Sequence, residues 1–254
     1  LDLSKNEEVE ENIEASTFGT IIHETLYDLY SKSKKSIISE ELLESMFASY
    51  QDLLLKNFRK FYSSRGMKSG KNRLSFEISK KILKNFLDSE KNIVGKCQII
   101  DLEKEISKDF KVDNKTVKIK GKIDRIDKMD GFYRIIDYKT GFVNDRELNI
   151  IGKDFNLIFD DPKFSKIFQL YFYMFLFYLP KESADLCGGI ISLKNKNMGL
   201  IKIIDDISFE ERYNLFSKGL LNLLRNILDK NISFKQTDDI KRCKFCEFKS
   251  ICNR

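Results

Sequence analysis

Asp124, Asp137 and Lys139 are the residues whose types and spacing could do chemistry. They lie in the stretch Gly121 to Gly141, where two runs rich in Ile and Tyr flank Asp130-Gly131. Asp-Gly between alternating runs predicts a two-residue β-hairpin turn, because both central residues must accept φ > 0. Counting outward from that turn, Met129 faces Phe132, Asp127 faces Arg134, Ile126 faces Ile135 and Asp124 faces Asp137. The middle pairs are apolar or oppositely charged and stabilise a hairpin. The last pair sets two carboxylates ~5 Å apart at Cβ, which is destabilising unless a divalent cation lies between them. Lys139, two residues beyond Asp137, leaves the strand on the same face. Two carboxylates and an amine are the minimum equipment for holding a metal and orienting a water. The plain alternative is a solvated hairpin with idle charges; Ile123, Ile135 and Ile136 argue against it, since charges on a partly buried hairpin need partners.

Other elements must bring the rest of such a site to this hairpin. Ser16-Thr17 offers a helix N-cap, and Phe18, Ile22, Leu26 and Leu29 follow helical spacing. That helix carries His23, the sole histidine, with Gly19 one turn before it on the same face. Residues 40–62 and 74–90 predict two further helices with apolar stripes. Between them runs a basic, glycine-containing loop with Phe61 and Tyr62 at its start. It reads either as a solvated loop, the usual fate of a charge run, or as a flap on a DNA backbone in which Arg65, Lys68, Lys71 and Arg73 are the candidate phosphate contacts. A strand from Cys97 to Phe110 and a run from Val112 to Lys120 lead into the hairpin. A turn at Asp113-Asn114 or at Asn114-Lys115 places Glu103 or Glu105 opposite Asp124, and a one-residue slip exchanges the faces.

Residues 142–162 read as irregular and polar, a mobile loop beside the site. Phe164 to Leu179 predicts a buried helix in which Gln169 and Tyr173, four apart, share a face; a buried glutamine needs hydrogen-bond partners. Cys187 to Leu193 and Gly199 to Ile204 predict two strands, and Ser208 caps a last long helix bearing Phe209, Tyr213, Phe216 and Leu220. Helices, then strands, then helix and strands imply one α/β domain with a mixed central sheet flanked by helices.

Composition narrows the function classes. The chain has 254 residues and a net charge of +6 from 45 basic and 39 acidic side chains, which permits nucleic-acid binding without requiring it. The longest apolar run, Leu170 to Leu179, is short of the ~20 residues a membrane helix needs, so no membrane partner is expected. Five cysteines, three of them in the tail as Cys243-x2-Cys246-x5-Cys252, point to a metal or cluster in a reducing, cytoplasmic setting rather than to disulfides. The chain opens on Leu1, and the expectation is a piece of a longer polypeptide.

G-x-x-D-R-x-D from Gly121 to Asp127, followed by Asp137-Tyr138-Lys139-Thr140-Gly141, resembles the nuclease core of the PD-(D/E)XK superfamily, in particular its RecB/AddB-like exonuclease branch. The Gly19-Thr20-x-x-His23 pattern, the Gln169-Leu170-x-x-Tyr173 helix and the cysteine tail are similar to further segments of that branch. The resemblance implies a restriction-endonuclease-like core forming one nuclease domain over 1–254, with a helical part at 15–90, a catalytic sheet at 97–204 and a helix and tail at 205–254. It implies a Mg²⁺- or Mn²⁺-dependent deoxyribonuclease of exonuclease type, active on DNA and joined to a helicase domain or subunit in DNA repair. Catalysis would fall to Asp124, Asp137 and Lys139. Metal binding would fall to His23, Asp124, Asp137, the Tyr138 carbonyl and Glu105, and Gln169 and Tyr173 would point at substrate. Cys243, Cys246 and Cys252 would be three ligands of an iron–sulfur (4Fe–4S) cluster in the intact protein. The branch places its fourth cysteine before the histidine helix, where this chain has none. The competing reading is a catalytically silent DNA-binding or scaffolding module of the same fold.

Overall fold

The computed structural model describes residues 14–61, 70–178, 186–195, 199–233, 235–243, 246 and 249–253. Three helices come first: α1 (Ala15–Tyr30), α2 (Glu40–Phe61) and α3 (Gly70–Glu90). The first begins one residue before the expected cap: Glu14 holds the N-cap position and makes no side-chain capping bond, so Ser16 and Thr17 lie in the first turn. Gly70, with φ +74°, starts α3 four residues earlier than the apolar stripe alone implies. Lys71 and Arg73 of the predicted basic loop are therefore helical, while Arg65 and Lys68 lie outside the described residues.

A five-stranded sheet follows, in the spatial order β1 (Cys97–Val112), β2 (Lys115–Met129), β3 (Phe132–Lys139), β4 (Leu186–Ser192), β5 (Leu200–Lys202). Only β3 and β4 are parallel, which makes the sheet mixed as expected. The Asp-Gly turn forms: Asp130 and Gly131 have φ +54° and +87°, and the pairs Met129–Phe132, Asp127–Arg134 and Ile126–Ile135 stand opposite one another as the sequence predicts. At the other end of β2, Val112 pairs with Lys115, so the turn is Asp113-Asn114.

Residues 142–162 are not the mobile loop that their polarity implies. Val143, Leu148, Ile150 and Ile158 are all buried in one apolar cluster. Asn144 and Glu147 exchange capping bonds around a short 3₁₀ turn, and the short helix α4 (Leu157–Asp160) follows. Helices α5 (Ser165–Phe177) and α6 (Phe209–Leu228) complete this layer, the latter capped by Ser208 Oγ, which accepts from the Glu211 N–H. A single turn, α7 (Ile240–Cys243), leads into the tail.

Two apolar clusters cover the sheet. Ile22, Leu26, Phe58 and Phe86 from α1–α3 pack with Cys97, Ile99, Ile136 and Tyr138. Ile167, Leu170 and Phe175 of α5 and Phe216 of α6 pack with Ile123, Ile126, Ile135 and Ile190. Burial of this kind contributes ~25 cal/mol per Å² and is chiefly what holds the helices to the sheet. Gly121 is needed for it: a Cβ there would come within 3.0 Å of Leu176 and 3.1 Å of Tyr173, so its absence lets α5 close on β2.

Candidate active site

The C-terminal end of β3 is where the pieces meet. Asp124 Oδ2 accepts the Tyr138 N–H at 2.8 Å, one step past the last paired residues Arg125 and Ile136, which brings the Asp124 carboxylate over the strand carrying Asp137. Lys139 Nζ lies 2.8 Å from Asp137 Oδ2 but off the line that a hydrogen bond needs, so this enclosed oxygen is held by charge alone. Burial, and next the charge of Asp124, push the Asp137 carboxyl up to about 6, against the pull of Lys139. A buried carboxyl with a like charge beside it and incomplete hydrogen bonding is an environment that a cation would relieve.

His23 reaches this point from the middle of α1. Its Nε2–H donates to the Tyr138 carbonyl at 3.1 Å, which leaves Nδ1 facing Asp124 Oδ2 at 3.5 Å. A ring nitrogen turned inward by a bond on the other nitrogen is the usual arrangement of a metal-binding histidine. Burial lowers the His23 pKa, but the Asp124 bond and charge outweigh it and lift the imidazole above its ordinary value. The Tyr138 carbonyl, expected as a ligand itself, is thus engaged in orienting His23 and keeps a second lone pair.

The glutamate that joins them is Glu103, not Glu105. Donor atoms of His23, Glu103 and Asp124 all lie within 4.8 Å of one another, a group that Glu105 does not enter. Lys104 pairs with Ile123 and Leu102 with Arg125, which puts Glu103 level with Asp124, whereas Glu105 pairs with Lys122 farther out. Glu103 has φ +48°, a left-handed conformation that costs a non-glycine residue of order 1–2 kcal/mol and that gathers at functional sites. In this structure its carboxylate is paired with Lys122 Nζ at 2.6 Å. One imidazole and carboxylate oxygens suit Mg²⁺ or Mn²⁺, so the residues present fit a divalent ion. The one group of this kind among the described residues is this one; the thiols of Cys243, Cys246 and Cys252 do not form another.

On the α5 side Lys139 Nζ also donates to Gln169 Oε1 at 3.0 Å, and Gln169 Nε2 donates to the Tyr173 hydroxyl at 2.9 Å. The predicted pair therefore forms one chain ending on the lysine. Asp124, Asp137, Lys139, His23, Gln169 and Tyr173 are all brought together.

A family model described as the PD-(D/E)XK nuclease superfamily matches residues 1–253. The chain belongs to that superfamily. It is 29% identical over 162 residues to an ATP-dependent helicase/nuclease subunit of Clostridioides difficile, a match spanning 58% of this chain but only 12% of that protein. The crystal structure of SSO0001 overlays with a TM-score of 0.34 and 17% identity across 98% of this chain and 89% of that one, too slight a likeness to bear on the fold.

Within this PD-(D/E)XK core, the remaining residues of the G-x-x-D-R-x-D motif do something that spacing alone does not reveal. Arg125 is completely buried. It donates to Asp127 Oδ2 at 2.7 Å, Glu90 Oε2 at 2.9 Å, the Tyr30 hydroxyl at 3.3 Å and the Tyr138 hydroxyl at 3.4 Å. Arg134 adds a second bond to Asp127 Oδ2 at 2.8 Å. Glu90 and Tyr30 come from the ends of α3 and α1, and nothing in their local sequence marks them; Arg125 itself, an arginine set between the buried Ile123 and Ile126, is the one signal.

Proposed function

We propose that this domain hydrolyses DNA phosphodiester bonds with Mg²⁺ or Mn²⁺, as the nuclease module of a helicase–nuclease or DNA-repair protein. The observation that carries the reading is the juxtaposition of a His23–Glu103–Asp124 donor group with the Asp137–Lys139 pair at one strand end. His23, Glu103, Asp124 and Asp137 would hold the ion, which supplies positive charge to the scissile phosphate and acidifies water at neutral pH. Lys139, fixed between Asp137 and Gln169, orients the attacking water and offsets the charge that builds on the phosphoryl oxygens. Water adds at phosphorus, the bond to the leaving ester oxygen breaks, and that oxygen takes up a proton. Gln169, itself held by the Tyr173 hydroxyl, gives the ammonium a second acceptor beside Asp137.

Clefts on both sides of the first turn of α1 give the DNA a path. One, about 950 Å³, runs past His23, Glu103 and Lys122; the other, about 680 Å³, lies between α3 and the Thr140-Gly141 turn and carries Lys81 and Lys194. These two lysines have no ion pair with a described residue, so they are available to phosphates. The helicase connection is supported by the relative from Clostridioides difficile, a helicase/nuclease subunit. The three tail thiolates are short of the four that a 4Fe–4S cluster takes, and no step of the reaction passes through them. End-labelled linear DNA incubated with the protein should be degraded in Mg²⁺ or Mn²⁺ and untouched in EDTA. Binding without cleavage under every metal condition would favour the silent DNA-binding module instead.

A further inference from the structure

We infer that Arg125 is a positioning residue of the metal site, acting through the Tyr138 peptide and through α1. This rests on the reading of His23, Glu103 and Asp124 as ligands. Arg125 never touches those groups, yet it grips what holds them. Its guanidinium bonds the hydroxyl of Tyr138. The main chain of that same tyrosine donates to Asp124 and accepts from His23. The Tyr138 ring stands edge-on to His23 at 6.0 Å and to Phe86 of α3 at 5.7 Å, so a shift of the ring would be felt at the imidazole. A second route runs through Tyr30 and Glu90, which bond each other and Arg125 and thereby pin the C-terminal ends of α1 and α3 to β2. His23 rides on α1, so its distance from Asp124 is set by that anchor.

Stability alone does not account for this arrangement. A fully buried, multiply paired arginine costs desolvation, and apolar replacements of such networks are often as stable. What the fork of a guanidinium adds is direction: Nε–H is aimed at Asp127 while the two hydrogens of Nη1 are shared among Glu90 and the hydroxyls of Tyr30 and Tyr138, all at fixed angles to one another. Ligands supported through such outer partners lose metal affinity when the partner is altered.

The test compares wild type with Arg125→Lys and Tyr138→Phe. Mn²⁺ binding is followed by the loss of the free-ion electron paramagnetic resonance signal, at a temperature well below all melting points. Arg125→Lys keeps the charge but loses the fork, and its dissociation constant for Mn²⁺ should rise about tenfold or more, with excess Mn²⁺ restoring cleavage. Tyr138→Phe should shift in the same direction by a smaller factor. Because His23 is the only histidine, its ¹⁵N imidazole resonances report the tautomer without metal or substrate. Wild type should show the Nε2–H form, and both variants a mixture. A folded Arg125→Lys protein with wild-type Mn²⁺ affinity and an unmixed tautomer overturns the inference. If Arg125→Lys does not fold, unchanged affinity and tautomer in Tyr138→Phe overturn it. Wild type that binds no Mn²⁺ at all would instead remove the ligand assignment beneath it.

Discussion

Lys139 and Asp137 are legible as a pair from their spacing, and so is the meeting of Asp124 with them, because one Asp-Gly turn fixes the register of the hairpin. Glu103 is not separable from Glu105 by sequence, since that choice hangs on whether the turn is Asp113-Asn114 or one residue later, and no residue there compels either. Its left-handed backbone is a tertiary outcome with no local signature. Spacing shows Asp127 only as the cross-strand partner of Arg134; its burial with Arg125 gives it a pH signature. Burial raises the Asp127 pKa, but the two arginines outweigh it and hold the carboxyl below its ordinary value. A depressed carboxyl stabilises the fold above its unfolded pKa, ~3.9, and that contribution is lost as pH falls through the lower folded value. Urea unfolding followed between pH 6 and 3, in steps, should show stability falling at the acid end. Asp127→Asn should be several kcal/mol less stable at pH 6, about 3 if it behaves as a broken buried pair, and should lose less on acidification. Parallel pH profiles for the two proteins would contradict this.

At the scale of elements, helical and strand periodicity places α1, α2, α3, α5, α6 and all five strands, with errors at their ends. Segment 142–162 escapes it because its buried residues, Val143, Leu148, Ile150 and Ile158, are too widely spaced among polar ones to show either period. The fit of α5 against β2 depends on Gly121, whose role no pattern in a single strand discloses. Gly121→Ala would press a methyl against Leu176 and Tyr173, moving the helix that presents Gln169 to Lys139. The expected cost is ~1–3 kcal/mol in unfolding free energy, together with a fall in kcat for DNA cleavage. A variant with wild-type kcat and a lowered melting temperature would show that Gly121 serves packing only.

The whole molecule is a sheet between two helical layers, with the site where α1 crosses the end of β3 and clefts on either side of that helix. A net charge of +6 gives little hint of a path for DNA, because most lysines near the site, including Lys34, Lys104 and Lys122, are already paired with carboxylates. Lys81 and Lys194 are the exceptions in the second cleft. If DNA follows it, Lys81→Ala with Lys194→Ala should weaken binding on every sequence. The slope of log affinity against log salt should fall by about 0.9 per lost phosphate contact on duplex DNA, or about 0.7 on single strands. An unchanged slope would leave this cleft outside the DNA path.

Whether Asp137 and Lys139 act at a metal held beside His23, Glu103 and Asp124, as proposed, is read from the cleavage rate of end-labelled linear DNA in saturating Mn²⁺, measured for wild type, Asp137→Ala and Lys139→Ala, each with its folding checked by circular dichroism. Wild type should cut, and both variants should lose cleavage by a factor of at least about a hundred while keeping the fold, the scale expected for groups that stabilise the transition state directly. Wild-type cleavage by folded Asp137→Ala would contradict the account.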